Sequence, residues 1–148
     1  MDDIAESVVS GFAGASAEGR RAILERVTPV SAAVLCAYAE RMAAVAVRGT
    51  SVEPVRRGLL AVGMAAGRLE DDRDGLYPMA ALCHASTVIG SSPEKDAESV
   101  AGLLPPPANA VISRFLKRSE RDKSLAAMGL RAAGEGADFR YVSGPAWG

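Results

Sequence analysis

The chain has 148 residues, of which 49% are hydrophobic and 24% are charged, and its formal net charge is −1. This length and balance are typical of one globular domain and argue against disorder along the whole chain. A net charge so close to zero excludes an overall field that would steer the protein to nucleic acid or to a membrane.

The cysteine content and the N-terminus indicate a cellular compartment. Cys36 and Cys83 lie in apolar stretches and are too few for a disulfide scaffold. The start Met1-Asp2-Asp3 is acidic where a signal peptide would be basic. The uncharged apolar stretch from Val27 to Ala39 is shorter than the ~20 residues that a helix needs to cross a bilayer. We therefore expect a soluble cytoplasmic protein with reduced thiols and no membrane partner.

Helix signals follow one another from the N-terminus. Ile4, Val8 and Phe12 recur at helical spacing, which predicts a first helix. Ser16 is suited to cap a second helix, which carries Ile23, Leu24 and Val27.

A central helix is predicted after Thr28-Pro29, because a capping hydroxyl followed by proline is a strong start signal. We expect this helix to reach Arg48 and to stop at Gly49. It is apolar nearly all round, which predicts burial on several faces. Its expected inward stripe is Leu35, Tyr38, Met42 and Val45.

The next predicted helix is capped by Ser51 and carries two unusual glycines. Gly58 and Gly63 each cost ~1 kcal/mol relative to alanine in a helix interior. Close approach of a neighbouring helix would explain them. The expected inward stripe is Val55, Leu59, Val62 and Ala66.

Further helices are predicted up to Gly129. Aspartates crowd the start of one helix, and Pro78 is expected to kink that helix or to delay its onset. Ser92-Pro93 opens another helix, and the three prolines 105–107 form a break. Beyond the break, the stripe Ala108, Val111, Ile112, Phe115 and Leu116 predicts an amphipathic helix.

The pattern changes near the C-terminus, where residues 130–142 are predicted to form a small β-hairpin around Gly134-Glu-Gly136. Residues 143–148 are expected to be a flexible tail. The sequence therefore predicts one all-α domain over residues 1–148, with five to seven helices and this hairpin. Short connections are compatible with a compact helical bundle or with a short stack of helical hairpins.

Cys83-His84 is the first candidate for chemistry, because a thiol beside a base suggests nucleophilic catalysis. Adjacent residues on a helix point ~100° apart, so a buried thiol and a histidine near the surface are the favoured interpretation. His84 is the only histidine, which leaves no multi-histidine metal site.

The acidic segment Glu70-x-Asp72-x-Asp74-Gly75 resembles the front of a calcium-binding EF-hand loop. Ala81 stands where such a loop places its bidentate glutamate, so we expect a solvated turn and no bound metal. No cofactor motif is found, and the phosphate loop, GxGxxG, CxxC, HExxH and GxSxG are all absent.

Two surfaces remain as partner candidates. The basic stretch Arg114, Lys117, Arg118, Arg121 and Lys123 could dock on DNA, but it is diluted by Glu120 and Asp122, which favours a solvated helix face. The C-terminal segment concentrates aromatic residues, of which Phe139 and Tyr141 are expected on one strand face. The favoured interpretation is that Phe139 and Tyr141 pin the hairpin to the helices, because a lone hairpin is marginally stable. If this segment binds a partner, we expect the partner surface at Arg131, Arg140, Tyr141 and Trp147.

By elimination, the sequence favours a non-catalytic protein-binding module, such as an adaptor, a regulator or an immunity-type inhibitor. The alternatives are a small helical enzyme or small-molecule-binding protein, and a nucleic-acid-binding regulator. We expect another protein as the partner.

Overall fold

The computed structural model describes residues 2–69, 73–106, 109, 112, 131–133 and 138–140. Within 2–69 and 73–106 there are six α-helices: α1 (Asp2–Gly14), α2 (Ala17–Glu25), α3 (Pro29–Gly49), α4 (Glu53–Ala65), α5 (Arg73–Val88) and α6 (Pro93–Ala101). A 3-10 turn, Ala66–Arg68, follows α4 directly. The described part of the chain is thus mostly helical, as the sequence predicts.

Two three-residue strands are described near the C-terminus. β1 (Arg131–Ala133) and β2 (Asp138–Arg140) pair antiparallel, with Arg131 opposite Arg140. The turn and the flanking residues of the predicted 130–142 hairpin lie outside the described residues, so the hairpin as a whole stays a prediction.

The predicted caps form at three helices, whereas the prediction of Ser51 as the cap of α4 is wrong, because Val52 is the N-cap there and makes no side-chain hydrogen bond. Thr28 and Ser31 make a reciprocal capping box at the start of α3, in which the Ser31 backbone N–H donates to Thr28 Oγ1 at 3.1 Å. Ser16 and Ser92 accept backbone N–H groups at the starts of α2 and α6. At its other end α3 stops at Gly49, as predicted, and the left-handed residue that follows is Thr50, with φ of 52°.

α3 is less enclosed than the sequence predicts. Leu35 and Tyr38 are buried, but Met42 is only half-buried and Val45 is 38% exposed. The prediction of burial on several faces is therefore wrong, because alanines supply much of the apolar character of α3, and several of these small side chains face solvent. The enclosed helix is α4, which lies against α3, α5 and α6 and buries every residue from Gly58 to Ala65.

Gly58 and Gly63 sit where α4 meets its neighbours. A Cβ on Gly58 would lie 2.6 Å from Leu82 Cδ2 on α5 and 3.3 Å from the Ala39 carbonyl oxygen on α3. A Cβ on Gly63 would overlap the side chain of Leu104. Close packing therefore explains both glycines, against neighbouring helices at Gly58, as predicted, and against Leu104 beyond the end of α6 at Gly63.

Of the two effects predicted for Pro78, a kink or a delayed onset of α5, the structure excludes the delay. α5 begins at Arg73 and continues through Pro78, so the proline does not delay the helix. α3 continues past Glu40, so it is longer than the uncharged stretch considered above. By length and composition, it is the one helix among the described residues that could cross a membrane. Its most apolar 18-residue segment has a mean hydropathy of 1.5, and 39% of that segment is buried. Core helices of globular proteins pass the same test.

Candidate functional site

α1 presents two different apolar faces. Its inner face places Ala5, Val9 and Phe12 in the core, each no more than 2% exposed. Ile4 and Val8, which the spacing groups with Phe12, are 64% and 36% exposed. The stripe predicted from the sequence therefore combines residues of both faces, and α1 retains an apolar face that no described element covers.

The outer face of α1 forms one wall of an apolar groove of about 310 Å³. α2 and the first half of α3 form the rest. Its lining is mainly aliphatic, with two serines and one arginine: Ile4, Ala5, Ser7, Val8, Gly11, Ile23, Arg26, Val27, Ser31, Val34 and Leu35.

The apolar surface continues past the groove. Val30 lies one helical turn before Val34, on the same side of α3, and is 76% exposed. At the other wall, Gly11 leaves open space, because a Cβ built there would meet no atom within 4 Å. The groove therefore offers room at Gly11 and uncovered aliphatic side chains at its margins.

A polar network fixes α1 relative to α3 and α4. The Tyr38 hydroxyl donates to Glu6 Oε2 at 2.6 Å and accepts from Arg57 Nε at 3.1 Å. Arg57 Nη2 also lies 2.6 Å from Glu6 Oε1 and donates to Ser10 Oγ at 2.6 Å. Because Glu6 and Ser10 flank Val8 on the same helix, these contacts hold the α1 wall of the groove in place.

The same network shifts the pKa values of Tyr38 and Arg57. Burial raises the pKa of Tyr38, and its hydrogen bond to Glu6 raises it further, against the opposing effect of Arg57. Burial alone would lower the pKa of Arg57, but the contacts with Tyr38 and Glu6 outweigh burial and raise it. The network is therefore most stable with a neutral tyrosine and a charged arginine.

Hydrogen bonds also hold the other two walls of the groove, α2 and the start of α3, in place. Arg20 on α2 donates from Nε to the Phe12 carbonyl oxygen at 3.0 Å and from Nη2 to that of Ala13 at 2.8 Å. Arg68 Nε donates to the Val27 carbonyl oxygen at 3.0 Å, at the junction of α2 and α3. The groove is thus held by specific hydrogen bonds as well as by apolar packing.

A second polar cluster surrounds Asp96, which is fully buried on α6. Its Oδ2 accepts from Ser86 Oγ at 2.6 Å and from Ser91 Oγ at 2.9 Å, and its Oδ1 lies 3.6 Å from Arg56 Nε. The crevice beside it, lined partly by Ser86 and Cys83, has no space for a water molecule. The cluster therefore joins α4, α5 and α6, and the crevice beside it has no room for a substrate.

Cys83-His84 lies on α5. Cys83 is 3% exposed, which confirms the predicted burial, and His84 is half-buried. Cys83 borders the same closed crevice, among Leu59, Met79 and Leu82. This burial agrees with the favoured interpretation of the pair as a buried thiol and a histidine near the helix surface.

The remaining sequence candidates fall largely outside the described residues. These include Glu70 to Asp72 of the acidic segment, the basic residues from Arg114 to Lys123, and both Tyr141 and Trp147. Arg131 and Arg140 pair through their backbones in β1 and β2. Among the described residues, no group of three or more His, Cys, Asp or Glu side chains could hold a metal ion.

The groove and both polar networks were missed by the sequence analysis. One feature of the sequence could have predicted the groove. Ile4 and Val8 form one apolar row on the first helix, and Ala5 and Val9 form a second. A single neighbouring helix covers only one such row, so the other row stays uncovered. Comparison with known proteins adds no assignment, since no family model, curated protein or solved structure matches this chain.

Proposed function

We propose that this chain is a non-catalytic protein-binding module and that the groove between α1, α2 and α3 is part of its partner site. The single observation that carries this proposal is the apolar surface from Ile4 and Val8 to Val30, which no described element of the chain covers. Exposed apolar patches with polar margins are typical of protein interaction sites. Here the polar groups among the lining residues are Ser7, Arg26 and Ser31.

The extent of this surface favours a protein over a small ligand. A volume of 310 Å³ is near the lower end of small-molecule sites. A ligand of that size would leave Val30, which does not line the groove, exposed, whereas a protein segment would cover it. The alternatives named from the sequence, an enzyme and a nucleic-acid-binding regulator, gain no support from the geometry of the described residues.

The role of such a module would be that of an adaptor, a regulator or an immunity-type inhibitor in the cytoplasm, with another protein as its partner. The C-terminal residues Arg131, Arg140, Tyr141 and Trp147 stay a second proposed surface. They are tested separately, by comparing binding and melting temperature in Tyr141→Ala and Trp147→Ala.

A matched pair of substitutions tests the groove. Val8 is 36% exposed and lines the groove, whereas Val47 is 37% exposed on α3 and does not. We expect Val8→Glu to lose partners that the wild type and Val47→Glu both retain, in affinity capture from the native cell with quantitative mass spectrometry. Identical partner sets for the two variants, with unchanged thermal melts, would contradict the proposal.

A further inference from the structure

Building on this proposed function, we infer that the groove receives an amphipathic helix from an acidic segment of the partner. Apolar side chains of that helix fill the groove, and one of its carboxylates pairs with Arg26. The groove, its charge and the recurring ways in which proteins bind peptides lead to this assignment.

The lining selects a helix over other peptide conformations. Strand addition needs an unpaired sheet edge, and α1, α2 and α3 offer none. Polyproline segments dock in grooves lined by aromatic residues, and no residue that lines this groove is aromatic. Recognition of phosphorylated segments uses clustered arginines, and this groove has one. A groove between helices with aliphatic walls fits an amphipathic helix.

The wall spacing agrees with such a helix. Ile4, Val8 and Gly11 stand at i, i+4 and i+7 along α1, which is about 10 Å at the helical rise per residue. This length matches two turns of a docking helix. The open space at Gly11 accepts a side chain of the partner where any larger residue of this chain would stand in the way.

Arg26 determines the charge of the partner. It is the only charged residue that lines the groove, it is exposed, and it forms no ion pair with any described residue. An apolar helix laid over the groove would remove water from this guanidinium. Covering a charge without a counter-charge is costly, so a well-fitting partner supplies a carboxylate at this position.

A phage-displayed library of helical peptides tests this inference. The library is selected on the wild-type protein and counter-selected on Gly11→Leu, whose side chain fills the groove. We expect enriched peptides with apolar residues at helical spacing and an aspartate or glutamate at one flank. The same selection on Arg26→Glu should enrich lysine or arginine at that flank instead.

Affinities of a selected peptide give the quantitative test. Arg26→Glu should weaken binding at least ~10-fold, which corresponds to ~1.4 kcal/mol. Arg26→Lys should retain most of the affinity. Arg21→Glu is the matched charge reversal, because Arg21 is an exposed residue of α2 that does not line the groove. Circular dichroism melts confirm that each variant is folded.

The outcomes separate the inference from the proposed function. Groove-dependent peptides without an acidic preference would overturn the inference and leave the binding module intact. Failure of the selection to enrich any peptide that prefers the wild type over Gly11→Leu would overturn both. A wild-type dimer in light scattering that Val8→Glu dissociates would show that a second copy of this chain covers the groove, and would overturn the inference.

Discussion

Replacing Gly58 with alanine tests the close packing of α4 most directly. In an exposed helix this change stabilises by ~1 kcal/mol, because alanine is the better helix former. At Gly58 the new methyl would lie 2.6 Å from Leu82 Cδ2. Leu82 is fully buried and has little room to move, and the Ala39 carbonyl oxygen blocks the other side. Overpacking of this kind costs ~1–3 kcal/mol.

A matched control isolates the steric contribution. Gly11 lies inside α1, and its added methyl would meet nothing within 4 Å. The gain in helix propensity is shared by both substitutions and cancels in their difference. We therefore expect Gly58→Ala to be less stable than Gly11→Ala by ~1–3 kcal/mol, in urea unfolding followed by circular dichroism.

A double-mutant cycle identifies the clashing atom. Leu82→Ala removes the contact and should by itself cost ~2–5 kcal/mol, because it leaves a cavity. In that background the penalty of Gly58→Ala should shrink or change sign, with a coupling of ~1–3 kcal/mol. Equal stabilisation by Gly58→Ala and Gly11→Ala in the wild-type background would refute the packing of α4 described above.

Three further predictions concern the polar groups and the thiols. Asp96→Ala should destabilise by ~2–4 kcal/mol, since the buried Ser86 hydroxyl and the partly buried Ser91 hydroxyl lose their shared acceptor. Glu98→Ala on the exposed side of α6 should change stability by less than ~0.5 kcal/mol in the same unfolding assay. The pKa of Tyr38 is raised in the folded state. Above the ordinary tyrosine pKa of ~10, the unfolded chain therefore releases a proton that the folded protein still holds. The free energy of unfolding should fall as the pH rises from ~10 through the pKa of the folded state. Tyr38→Phe should flatten this fall, and an unchanged alkaline slope of the free energy of unfolding would contradict the assignment. Cys83 should react slowly with iodoacetamide in the folded protein and quickly once it is unfolded, whereas rapid labelling of the native thiol at neutral pH would favour the enzyme alternative.

The helices and their boundaries follow largely from local chemistry. Thr28-Pro29 and Ser92-Pro93 mark helix starts because capping and the fixed φ of proline act within one turn. Burial was harder to predict for α3. The pattern of α3 showed that it is apolar, but a run of alanines does not show which side of a helix is covered.

The sequence by itself determined that this chain is mostly helical, where several of its helices begin, and that Gly58 and Gly63 require close neighbours. Only the tertiary structure decided which apolar row of α1 is covered and which is left to form the groove. Likewise, Glu6 meets Arg57, and Ser86 meets Asp96, only after separate helices pack. Local propensities act over a few residues, whereas a groove and a polar network between helices depend on how distant segments are placed, which no spacing along the chain records.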